Sequence, residues 1–183
     1  MIHTIKTTAL ILALSTSSLP AANTVVVGGQ DMFPAKDIVD NAVNSADHTT
    51  LVAAVKAAGL VETLKGKGPF TVFAPTNAAF GKLPAGTVET LVKPENKETL
   101  TKILTYHVAP GKLDFAALAQ LIKAGKGTAK LKTAAGETLE AKMNGPHNIQ
   151  IKDEKGNTAN ISTYDVYQSN GVIHVIDTVV LPK

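Results

Sequence analysis

GPFTVFAPTNAAF, Gly68 to Phe80, passes from one backbone geometry to another within a few residues. Gly68-Pro69 interrupts whatever precedes it. Phe70-Thr71-Val72-Phe73 is aromatic and β-branched, the composition of a short strand. Pro75 then closes the run, and Thr76 or Asn77 offers a side-chain oxygen to cap a short helix through Phe80 and Leu83. A strand that feeds directly into a helix start makes this a mixed fold of helices and strands.

Reading outward, the N-terminal side is helical in pattern. Asp47 and Thr49 are candidate caps for a helix carrying Leu51, Val52 and Val55, and Gly59 stands where a left-handed stop would fall. On the C-terminal side, Pro94 suits the first turn of a helix with Glu95 and Glu98 early, Lys102 late, and a face of Leu100, Ile103 and Leu104. Asp114 opens another, with a face of Phe115, Leu118, Leu121 and Ile122 closed by Gly125. From Thr128 the period changes from 3.6 to 2. Strands are expected near 128–133, 137–143, 148–152, 158–162 and 171–181, separated by Ala135-Gly136, Asn144-Gly145-Pro146, Lys155-Gly156-Asn157 and Asn170-Gly171. Asn170-Gly171 reads as a type I′ turn, with positive φ at its centre. Helices first and strands last predict an α+β domain with a largely antiparallel sheet. Residues 23–35, punctuated by Gly and Pro, are expected to form an extended arm ahead of a domain spanning 36–183.

Three stretches together resemble the fasciclin family: Gly68 to Phe80; YHVAPGKL, Tyr106 to Leu113; and NGVIHVIDTVVLP, Asn170 to Pro182. The resemblance covers residues 36–182, and is nearest to small, single-domain bacterial secreted members. It implies a wedge of β-strands with helices packed on it, in an extracellular protein of cell adhesion or matrix contact. It makes Phe73, Pro75, Thr76, Asn77, Phe80, Asn170, Gly171, His174 and Asp177 motif residues of the fold. It also ties Tyr106 and His107 to adhesion. The sequence here has one copy of the module, whereas linked copies gain avidity.

The remaining residues narrow the function. Lys6, the apolar run Ala9 to Leu14 and the small pair Ala21-Ala22 read as a secretory signal peptide over 1–22, so a secreted or periplasmic protein is expected. The run is too short to span a bilayer, which takes about 20 residues. All eighteen basic residues are Lys, without one Arg to fork onto guanine or phosphate, which argues against a nucleic-acid partner. Cysteine is absent, so there is neither thiol nucleophile nor thiolate metal site. Among Ser45, Ser162 and Ser169 none has a nucleophile context. Ser169, His174 and Asp177 are near in sequence, but on a strand the odd offset sends His174 and Asp177 to opposite faces. His48, His107, His147 and His174 are isolated, without ligand spacing. No catalytic residue, metal or cofactor is therefore expected.

His174, apolar on both sides, reads as a hydrogen-bonded core residue, and His107 invites the same reading. Whether Tyr106 and His107 are contact or core is left open by the residues alone. Lys123, Lys126, Lys130 and Lys132 could meet an acidic glycan or anionic surface, or simply form a solvated edge. The function expected is binding to a cell-surface or matrix protein or glycan, by a monomer or weak oligomer. The alternative is a small-ligand carrier using an apolar cleft between helices and sheet.

Overall fold

The structure is a computed structural model that describes residues 24–183. The expected signal peptide, residues 1–22, lies outside the described residues. Two strands, β1 (Val25–Val27) and β2 (Gln30–Met32), precede α1 (Ile38–Ala42), a 3₁₀ turn (Ala46–His48), α2 (Thr49–Ala58) and α3 (Val61–Lys65). Next come β3 (Phe70–Pro75), α4 (Asn77–Gly81), α5 (Thr87–Leu91), a 3₁₀ turn (Pro94–Asn96), α6 (Lys97–Tyr106), β4 (Val108–Pro110) and α7 (Phe115–Ala124). The chain ends in β5 (Thr128–Lys132), β6 (Thr138–Met143), β7 (Ile149–Lys152), β8 (Thr158–Gln168) and β9 (Gly171–Ile176).

One sheet of seven strands runs in the order β4-β3-β9-β8-β7-β6-β5. Every pairing is antiparallel except β3 with β9, which is parallel from Phe70↔Gly171 to Pro75↔Ile176. The two end strands curl towards each other, and the Ala134 N–H just past β5 donates to the Val108 carbonyl of β4 at 2.7 Å. The result is the helix-covered wedge that the resemblance implies. Helices α1, α2, α3 and α6 cover the β3–β9 side with Ile38, Leu51, Val55, Leu64, Leu100 and Leu104. Leu118 and Ile122 of α7 fill a second core against Leu131, Leu139, Ile149 and Ile151 of the outer strands.

Several local expectations are corrected. The segment expected as an extended arm folds back as the β1–β2 hairpin, with Val27 and Met32 buried against the first core. Their apolar side chains gain more from burial than an isolated arm could. Neither Asp47 nor Thr49 caps α2; that role falls to Asn77, described below. On α7 Leu121 is 42% exposed, since the i, i+4 pair Leu118 and Ile122 centres the face on the sheet.

Strand β8 continues six residues beyond its expected end. An irregularity between Thr163 and Val166, where Asp165 takes φ 55°, breaks the alternation that a sequence reading follows. Conversely, β9 ends at Ile176. Beyond it side chains replace the ladder: the Val180 N–H donates to His107 and the Leu181 N–H to Asp153.

Asn170-Gly171 is not a type I′ turn, because neither residue has positive φ. The β8–β9 loop is Ser169-Asn170, and Gly171 already pairs with Gln168. What requires glycine is proximity, since a Cβ on Gly171 would lie 2.1 Å from the Phe70 carbonyl oxygen of β3. Asn170 is spent on anchoring. Its Oδ1 accepts from the Ile38 N–H that begins α1, and its Nδ2 donates to the Leu64 and Gly66 carbonyls that end α3. Asn170→Ala should therefore cost about 2–3 kcal/mol, from orphaned helix-end groups. Chemical denaturation checks this; a midpoint like that of the native chain would show that water replaces the side chain.

Candidate functional site

The Tyr-His block lies where α6 runs into β4. Tyr106 ends the helix with its ring fully buried among the second core. Its hydroxyl donates to the Thr138 carbonyl at 3.0 Å and accepts from the Glu154 N–H at 3.3 Å, linking α6 to the outer strands. Burial pushes the hydroxyl's pKa up to about 12, so it remains a donor.

His107 is the C-cap of α6 and is 3% exposed. Its Nδ1–H donates to the Ile103 carbonyl at 2.8 Å, and its Nε2 accepts from the Val180 N–H at 3.3 Å. Its own carbonyl accepts from the Phe73 N–H at 2.9 Å. With one carbonyl and one N–H as fixed partners, the neutral ring has a single workable tautomer. Burial holds its pKa down to about 4, outweighing the Ile103 carbonyl, which favours the charged form. His107 thus joins helix, strand and C-terminal segment. Neither Tyr106 nor His107 presents a side chain at the surface.

His174 is built the same way in the middle of β9. Its Nε2–H donates to the Leu113 carbonyl at 2.7 Å, and its Nδ1 accepts from the Asp165 N–H at 3.4 Å. Its ring stacks on Phe73, with centroids 5.8 Å apart, and meets Tyr164 edge-on. Burial lowers its pKa. Asp177, beyond the strand, accepts from the Asn160 N–H and side-chain amide. His174 and Asp177 have these separate partners, the Ser169 N–H donates to the Lys36 carbonyl, and no hydrogen bond links the three.

The first motif divides its labour. Pro75 completes the register of β3 on β9. Thr76 caps α4 by accepting from the Ala79 N–H. Asn77 reaches back to the start of α2, where its Oδ1 accepts from the Thr50 N–H and its Nδ2 donates to the Ala46 carbonyl. Phe73 is buried, and Phe80 packs partly buried against the first core. All these residues stitch elements together, and no cleft collects them.

Lys123, Lys126, Lys130 and Lys132 are all exposed, at the end of α7, in the turn after it, and on the outward face of β5. No ion pair among the described residues engages any of the four. They belong to three successive segments, α7, the turn and the end strand β5, and Lys130 stands opposite Glu140 in the β5–β6 register. Sequence reading missed Asp153, a buried carboxylate that accepts from the Lys155, Asn157 and Leu181 N–H groups. Its turn was legible but its long-range partner was not. Among the described residues no three His, Cys, Asp or Glu side chains converge as a metal site, and no helix is long and apolar enough to cross a membrane.

The chain matches the fasciclin domain family model over residues 46–182. It belongs to the fasciclin family. Protein sll1483 of Synechocystis sp. is 52% identical over 150 residues, covering 81% of this chain and 74% of that protein. The cell surface glycolipoprotein MPB83 of Mycobacterium bovis is 36% identical over 124 residues, 67% of this fasciclin chain and 48% of its own. Among solved structures, a FAS1 domain pair from the insect cell adhesion molecule fasciclin I superposes with a TM-score of 0.58. It is 20% identical and covers 72% of this chain and 43% of that one, a likeness of fold. The hairpin β1–β2 and α1 precede the matched residues, yet they pack into the same first core.

Proposed function

We propose that this is an exported fasciclin module that binds cell-surface or matrix material, protein or glycan, without chemistry of its own. One observation carries the reading: the family's motif residues are buried or spent on hydrogen bonds and packing within the fold, so what the domain offers a partner is the rest of its outer surface. Family membership supports adhesion or surface contact, and the exposed lysines Lys123, Lys126, Lys130 and Lys132, without an ion pair among the described residues, favour an acidic glycan or other anionic partner. Export rests on the leader read over residues 1–22, and the intact mass of the secreted protein should match a start at Ala22 or Asn23. Recovery of the full-length species alone would remove that support.

A single module should bind weakly free in solution and far more strongly when clustered, because linked copies raise effective concentration by orders of magnitude. Purified protein displayed densely on beads should adhere to surfaces coated with acidic glycan, with adhesion rising with density and falling with salt. Reversing Lys123, Lys126, Lys130 and Lys132 to Glu should abolish it without changing the melting temperature. Dense display that adheres to no surface, beside turnover of a hydrolase or redox substrate, would overturn the reading.

A further inference from the structure

Two asparagines of the chain precede a glycine, Asn144 and Asn170. Glycine has no Cβ to screen its own backbone nitrogen, which leaves that nitrogen open to the amide carbon of the side chain before it. The fold holds the two pairs very differently.

Asn170-Gly171 is locked. The Asn170 amide is bound at both ends, to the Ile38 N–H and to the Leu64 and Gly66 carbonyls. Gly171 is buried and lies between Gln168 of β8 and Phe70 of β3 in the sheet. Asn144-Gly145 stands at the opposite extreme, in the β6–β7 connection, where residues 144–148 are all exposed. The Gly145 N–H has no hydrogen-bond acceptor among the described residues. The Asn144 side chain reaches only the Asn160 Oδ1, at 3.4 Å, which is long for a hydrogen bond. A Cβ placed on Gly145 would meet no atom within 4 Å, so the turn is open around it.

We propose that Asn144 is a self-modification site, where the exposed turn converts its own amide to a carboxylate through a cyclic imide. The Gly145 backbone nitrogen, its proton taken by hydroxide, attacks Asn144 Cγ. A C–N bond forms, the Cγ–Nδ2 bond breaks, and ammonia leaves. Water then opens the imide at either carbonyl, giving aspartate or, with the backbone rerouted through the side chain, isoaspartate. The net change is hydrolysis of one amide, so water is the sole co-reactant. At Asn170 the same step must wait until the amide leaves its three partners and β9 parts from β3. Conversion at Asn144 places a negative charge at the exposed end of the β6–β7 hairpin and lowers the formal net charge of +3 by one. Molecules of different age therefore differ in charge at this one corner. The site is independent of the adhesion reading.

Incubating the purified protein at mildly alkaline pH, folded and in denaturant, with peptide mapping by mass spectrometry over time, tests it. In the folded chain the Asn144 peptide should gain the mass of an amide-to-acid change at least about tenfold faster than the Asn170 peptide, with isoaspartate among its products. In denaturant the two rates should converge. Asn144→Gln, whose longer side chain closes the ring far less readily, should remove the acidic variant that accumulates in the folded native chain. An Asn144 that stays intact in the folded chain while it converts in denaturant would overturn the proposal. So would equal rates at the two asparagines in the folded chain, aspartate without isoaspartate, or an acidic variant undiminished in Asn144→Gln.

Discussion

Gly171→Ala should lower stability by about 3 kcal/mol or more, the upper end of what overpacking costs. Ordinarily the same change stabilises by about 0.4–1 kcal/mol where the backbone tolerates it, through the unfolded chain. Here the added methyl meets the Phe70 carbonyl oxygen at 2.1 Å and the Ile38 side chain at 3.0 Å. The carbonyl belongs to a paired strand, and the Phe70 N–H is itself held by the Asn170 carbonyl at 3.0 Å. Relief requires β9 to move away from β3, and β9 is also paired with β8 on its other side. The denaturant midpoint should fall while its slope stays constant. A variant as stable as the native chain would show that the strands separate here without loss.

Acid should destabilise the domain well before its carboxylates are protonated, and His107 should be the main cause. In the unfolded chain the imidazole titrates near 6.5, whereas in the native fold it titrates at about 4 because burial disfavours the cation. Between these values the unfolded chain binds a proton that the native chain refuses. The stabilisation is therefore fully present above pH 6.5 and lost as pH falls towards 4, by about 3 kcal/mol at about 1.4 kcal/mol per unit. His174 and His48, whose pKa values burial also lowers, add in the same direction. His107→Leu should cost about 2–4 kcal/mol at pH 7, since it orphans the Ile103 carbonyl and Val180 N–H. Its decline from pH 6.5 to 4 should also be shallower than that of the native chain. Equal slopes for the two proteins would remove His107 from the account.

Much of this fold was legible because its signals are local. Thr76 caps the helix that follows it, Asp114 caps α7, and Gly59 ends α2 in the left-handed region, each within one turn of the residue that announces it. What escaped depends on distance along the chain. Of the two candidate caps, Thr76 and Asn77, the first serves α4, while the acceptor of Asn77 meets an N–H 27 residues earlier. Asn170-Gly171 has the composition of a tight turn, and the real demands on it come from α1, α3 and β3, which only the assembled sheet brings near. The histidines divide in the same way. His174 showed its burial through apolar neighbours on both faces of a strand. His48 stands in a polar run, Asp47-His48-Thr49, where nothing marks its burial.

The parallel pairing of β3 with β9 joins positions about a hundred residues apart, with the last strand among the described residues as an inner member of the sheet. During synthesis, then, about a hundred residues must follow β3 before its central neighbour exists. Contacts of such sequence separation form slowly, because loop closure must precede them. A nascent chain of this design should leave that side of β3 unpaired until β9 emerges. Truncation within β9 should leave no native remnant, only a species for proteases to clear.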